Sequence, residues 1–172
     1  MRCMTQNAPG QRRVGVARCD ITPADSQFLY GYPLVERMST GVHDRLLASA
    51  MFLDDGATQA LFIAVDVIAL TKQQVAAIRT RIAAATEVPA RHIMVTATHT
   101  HSGPVTLSML SNADDEVVPS PDPRYLNRLL AGIVDAATNA WQMAQPAEVG
   151  FAVADATGIG TNRHDPSGPR MP

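Results

Sequence analysis

Apolar and polar positions alternate loosely along Arg13-Val14-Gly15-Val16-Ala17-Arg18-Cys19, and the alternation stops at the turn signal Asp20-Ile21-Thr22-Pro23. This predicts a strand followed by a loop running to about Thr40. Phe28, Tyr30, Tyr32 and Pro33 lie close together in that loop; they could line a groove, but the reading preferred is that they pin the loop to the core. Residues 42–53 are ambiguous by period, but Asp55-Gly56 followed by the β-rich run Ala60-Leu61-Phe62-Ile63-Ala64-Val65-Asp66-Val67 favours a β-hairpin. The nearly continuous apolarity of the second strand implies burial on both faces, beneath helices. Asp66 then needs a partner, for which Arg45 and a metal-bound histidine are the two candidates.

Thr71-Lys72-Gln73-Gln74 has the form of a capping box, and Val75, Ile78 and Ile82 follow at helical spacing. The predicted helix leads through Val88-Pro89 into Ile93-Met94-Val95-Thr96-Ala97, which has strand composition. A β-α-β crossover results, with the strands near Ile63 and Val95 as parallel neighbours. Asp122-Pro123 supplies an N-cap and a first helical residue, and Leu126, Leu129, Leu130, Ile133, Val134, Ala137 and Trp141 form the apolar stripe of a second helix. Residues 148–154 read as one more strand. The fold class is therefore α/β, a mixed sheet with a β-hairpin, a β-α-β crossover and covering helices.

Composition narrows the function classes. With 172 residues, 46% of them hydrophobic and 17% charged, the chain can bury a core as one domain. A formal net charge of −2 provides no basic footprint for nucleic acid. Cys3 and Cys19 lack the C-x-x-C spacing of a cysteine-based metal site and do not suggest a disulfide framework. No apolar run approaches the ~18 residues of a transmembrane helix, and the N-terminus lacks the apolar core of a secretory signal. As the sequence stands, a cytoplasmic location is expected, or a secreted one if the true N-terminus lies upstream. Residues 1–12 are expected to be flexible. The polar, proline-rich end from Asn162 to Pro172 suggests a domain that continues beyond it.

The candidate chemistry lies in Thr98-His99-Thr100-His101-Ser102-Gly103-Pro104. In an extended chain residues i and i+2 point to the same side, so His99 and His101 can face one pocket, before Gly103-Pro104 ends the strand. Neutral imidazole is a common zinc ligand oriented by what its other nitrogen bonds, and Thr98, Thr100 and Ser102 offer hydroxyls for that purpose. Catalytic zinc usually takes three protein ligands and a water, so two histidines alone do not complete a site. A pair of hydrogen-bonded histidines at a strand end is the competing reading.

These residues carry a family resemblance. The blocks from Val14 to Pro23 and from Gly41 to Leu46, then Val65-Asp66, and above all Thr98 to Pro104, resemble the N-terminal part of the neutral/alkaline, non-lysosomal ceramidases and their smaller bacterial relatives. Thr161-Asn162-Arg163 is similar to the family's Asn-Arg block. The resemblance implies a zinc-dependent hydrolase of linear amides, cleaving the N-acyl linkage of a ceramide-like lipid to a fatty acid and an amino-alcohol. Its cofactor would be Zn2+ and its substrate a small N-acyl amide or sphingolipid-like molecule.

Carried over, His99 is a zinc ligand, while His101 and Arg163 are the catalytic polar pair that orients the amide or its tetrahedral intermediate. His43, in a shared block, is a candidate for substrate binding in the same pocket, against the alternative of a strand histidine bonded to backbone. The family's remaining ligands have no match here. The chain is thus expected to be the N-terminal portion of a catalytic domain, residues 1–172, that binds zinc weakly and is inactive alone. The alternative is a non-catalytic metal-binding or interaction domain on the same fold.

Overall fold

The hairpin closes where Asp55-Gly56 predicts it. Gly56 takes φ 87°, a left-handed value that favours glycine. The Asp54 carboxylate accepts the Gly56 N–H at 2.8 Å, and Asp55 accepts those of Ala57 and Thr58. The computed structural model describes residues 12–32, 34–109 and 114–156. In chain order its elements are β1 (Arg13–Asp20), β2 (Leu47–Asp54), β3 (Gln59–Val65), α1 (Lys72–Thr86), a 3₁₀ turn (Ala90–His92), β4 (Ile93–Ala97), α2 (Pro123–Gln142) and the short β5 (Gln145–Pro146).

The five strands form one sheet in the order β4-β3-β2-β1-β5. Pairing is antiparallel except between β3 and β4, where Ile63 lies opposite Val95 in parallel register. The mixed α/β class and the crossover neighbours are as predicted. The capping box also forms: Thr71 Oγ1 accepts the Gln74 N–H at 3.1 Å, and Gln74 Oε1 accepts the Thr71 N–H at 2.7 Å. Gln74 further donates to the Thr106 carbonyl at 2.9 Å, and the buried Thr106 hydroxyl donates to the Ala69 carbonyl at 2.7 Å. The start of α1 is thereby fastened to the segment that follows the histidines.

Helix α2 begins as expected, with Asp122 accepting the Arg124 N–H at 2.8 Å and Pro123 at the first turn. Leu129, Ile133, Ala136, Ala137 and Ala140 face the sheet and are fully buried. Leu126, Leu130, Val134 and Trp141 flank that face, packed against the core but only partly buried. The small side chains let the helix lie close to β1: a Cβ on Gly15 would fall 1.9 Å from the Ala140 carbonyl oxygen.

Two expectations fail. The apolar run of β3 predicts burial on both faces, but Leu61, Ile63 and Val65 are buried whereas Phe62 is 41% exposed, so the run serves a one-sided layer. Val16, Met51 and Met94 share this open character on neighbouring strands. Residues 148–154 do not form a strand. Their backbone pairs with no described strand, and the Phe151 and Val153 side chains are 98% and 102% exposed. Apolar β propensity without a partner edge does not make a strand. The extra pairing falls instead on Gln145–Pro146, against Arg13 and Val14.

Candidate active site

Strand β4 ends at Ala97, beside the carboxyl end of β3, and the histidines lie in the loop just beyond it. The loop stays tied to the sheet: Thr98 N–H donates to the Val65 carbonyl at 2.9 Å and His99 N–H to the Val67 carbonyl at 3.1 Å. His99 takes φ 62°. The simple alternation of an extended strand therefore does not apply, yet the two imidazoles still meet, with ring centroids 5.1 Å apart at 63°. A left-handed non-glycine residue costs about 1–3 kcal/mol and persists where its surroundings over-determine it, a condition concentrated at functional sites.

His99 Nδ1 lies 2.8 Å from the Ile68 carbonyl. A carbonyl only accepts, so the ring proton sits on Nδ1 and the Nε2 lone pair is left for a cation. The orienting group is thus a backbone carbonyl, and not one of the threonine or serine hydroxyls expected from sequence; Thr100 Oγ1 instead accepts the Ser102 N–H at 3.2 Å. His101 is half-buried and packs edge-on against Tyr32, with centroids 5.3 Å apart at 85°. The Arg37 guanidinium lies 4.4 Å above the Tyr32 ring and donates to the His101 carbonyl at 3.2 Å.

Phe28 and Tyr30 are buried and pin the long loop, as anticipated, but Tyr32 is half-exposed and reaches the site. Sequence reasoning assigns neither Tyr32 nor Arg37 to the site. The only sequence signal is the spacing of aromatics in the loop, which does not say which of them faces inward. Pro33 and Arg163 lie outside the described residues.

His43 lines a cleft of about 850 Å³ together with Asp66, Thr100 and Ser102, the last two being the residues that alternate with the histidines. Its side chain is 99% exposed and its Nδ1 lies 2.8 Å from the Asp44 carboxylate. Neither His99 nor His101 lines that cleft. The wall of the cleft is built by the blocks around Asp20 and Arg45. Arg45 pairs with Asp20 and not with Asp66, the partner that the sequence suggests for it. Asp66 instead accepts the Leu47 N–H at 3.0 Å, which satisfies it across the β2–β3 junction. The Thr22 hydroxyl and N–H, with Arg45 adding to them, hold the Asp20 carboxyl at about 2, below its ordinary range.

Residues 13–167 fit the model of the N-terminal domain of neutral/alkaline non-lysosomal ceramidases. The chain belongs to this family. Among solved structures it is similar to the neutral ceramidase of Pseudomonas aeruginosa, at 26% identity and TM-score 0.64, over 79% of this chain and 22% of that one. It shares the fold of a ceramidase complexed with C2, at 24% identity and TM-score 0.65, again covering 79% of this chain and 22% of the other. This ceramidase-family chain thus spans about a fifth of the length of those relatives. No curated protein matches it significantly. Among the described residues no group of three or more His, Cys, Asp or Glu side chains could hold a metal ion. Among them, His99 presents an imidazole nitrogen, Nε2, of the donor type that zinc takes.

Proposed function

We propose that this chain forms part of the catalytic centre of a zinc-dependent hydrolase of linear N-acyl amides of the ceramide type. The observation that carries the reading is the hydrogen bond from His99 Nδ1 to the Ile68 carbonyl, which presents Nε2 as a ligand at the carboxyl end of a parallel strand pair. Zinc, when bound, would polarise the acyl carbonyl and acidify a water at neutral pH. The further ligands would come from outside the described residues.

The chain's own residues divide the remaining work. His101, next to His99 but with its ring nitrogens free of described partners, serves as a donor toward the oxygen of the amide or its tetrahedral intermediate. Arg163 is its proposed companion on the strength of the family match, which extends to residue 167. His43, in the neighbouring cleft, is the proposed contact for the polar end of the substrate.

The test uses the protein encoded by its whole reading frame, with metal content read by plasma spectrometry and turnover read on a fluorogenic N-acyl amide. His99→Ala should lose both metal and turnover. His101→Ala should keep the metal and lose ~10²–10³ in kcat, the usual effect of removing one transition-state donor. If His101→Ala loses the zinc while His99→Ala keeps it, the two roles are reversed. If both variants hydrolyse the amide like the parent, the reading is wrong.

A further inference from the structure

The two histidines are oriented by different means. His99 is fixed by a hydrogen bond to backbone, whereas no described residue hydrogen-bonds either ring nitrogen of His101. What surrounds His101 is a strap from far earlier in the chain. The strap is a small irregular hairpin, closed by Leu29 N–H to the Arg37 carbonyl at 2.6 Å and Ser39 N–H to the Gln27 carbonyl at 2.8 Å. It is docked on the histidine loop by Tyr30 N–H to the Gly103 carbonyl at 3.0 Å and by the Leu29–Pro104 bridge. Phe28 and Tyr30 root it in an apolar cluster with Ile68 and Val105.

From this strap three restraints converge on His101. The Tyr32 ring meets the imidazole edge-on at 5.3 Å. Arg37 stacks on the other partner of that contact, 4.4 Å over Tyr32, and bonds the His101 carbonyl at 3.2 Å, so one guanidinium holds both the ring that touches the imidazole and the backbone that bears it. Gly31, at φ 127°, leaves the space the imidazole occupies: a Cβ there would lie 2.4 Å from His101 Cγ and 2.6 Å from Nδ1.

We infer that Gly31, Tyr32 and Arg37 are positioning residues that set the direction of the His101 imidazole through packing. The inference rests on the reading of His101 as a substrate-facing donor only for its catalytic consequence; the positioning itself is independent of zinc and of amide hydrolysis. A planar guanidinium is required, because an ammonium cannot both lie flat on the ring and keep its hydrogen bond to the carbonyl in this geometry.

The positioning is read by NMR of histidine ring C–H signals in the 172-residue chain. Tyr32→Ala and Arg37→Ala should each displace the His101 signals, by removing the aromatic ring or freeing it, while the His99 signals, in ring contact with His101 but held by backbone, move much less. Tyr32→Phe, which keeps the ring, should leave both unchanged, and Arg37→Lys should resemble Arg37→Ala. In the protein encoded by its whole reading frame, Arg37→Ala should lower kcat about 10–100-fold, the range for loss of a group that orients a site residue, with zinc content and KM unchanged. His101 signals that coincide with the parent's in both alanine variants overturn the inference, as does an equal movement of His99. If the parent hydrolyses no amide while the NMR pattern holds, the strap stands and the hydrolase reading falls.

Discussion

Asp20 shows how a single carboxylate ties two family blocks together. It accepts the Thr22 N–H at 2.8 Å and pairs with Arg45, while the Thr22 hydroxyl oxygen accepts the Leu46 N–H at 3.0 Å, so the end of β1 is clasped to the start of β2. These contacts favour the ionised form and place its pKa at about 2. A depressed carboxylate contributes stability that is fully present above its unfolded value of ~3.9 and is lost as pH falls through the folded one. Asp20→Asn should therefore lower the thermal midpoint at neutral pH, and its gap from the parent should close as the pH approaches about 2. Midpoints measured across that window that keep a constant gap would show that the pair contributes no net stability. The same scale holds the strap, where removal of the Tyr32 ring or the Arg37 guanidinium is expected to turn His101 and spare His99.

Helix α2 is the element that covers most of the sheet, and its periodicity is plain in the amino-acid sequence. Seven apolar positions mark the stripe, but periodicity has a width and does not mark its centre. The tertiary contact places Leu129, Ile133 and Ala137 on the axis of the interface and Leu130 at its flank, because the close approach at Gly15 and Ala140 rotates the helix toward its small residues. Leu129→Ala should cost ~2–5 kcal/mol in denaturant titration, and Leu130→Ala less. A loss below about 1 kcal/mol at Leu129 would mean that the face is not packed as described.

The described residues form a sheet with helices on one side and an open apolar side. Met94 is half-exposed on β4, an edge strand, and a threonine there keeps a strand-compatible side chain. Met94→Thr should thus change stability in the 172-residue chain by no more than about 0.5 kcal/mol, as surface substitutions do. A larger loss would show that something covers this side. His99 and His101 sit at the rim where β3 and β4 end, and the predicted effects of replacing them, loss of metal for one and of turnover for the other, belong to this scale because the proposed zinc site needs ligands from outside the described residues.

Local rules are sufficient for the elements. The capping box at Thr71 and Gln74, the Asp122-Pro123 helix start, the Asp55-Gly56 hairpin and the parallel partnership of Ile63 with Val95 all depend on residues near one another or on a single crossover, so their residue types carry the information. The histidine pair is legible for the same reason, as is the family. What the tertiary structure decided depends on distant segments and on burial. Only packing reveals that, among the described residues, the β3 run has one open face and residues 148–154 find no partner edge, and that Arg45 turns to Asp20 while Asp66 is satisfied by backbone. Only packing brings Tyr32 onto His101, and Arg37 onto its carbonyl across 64 positions of chain, since an exposed-looking loop arginine and a loop tyrosine carry no local sign of the ring they will meet.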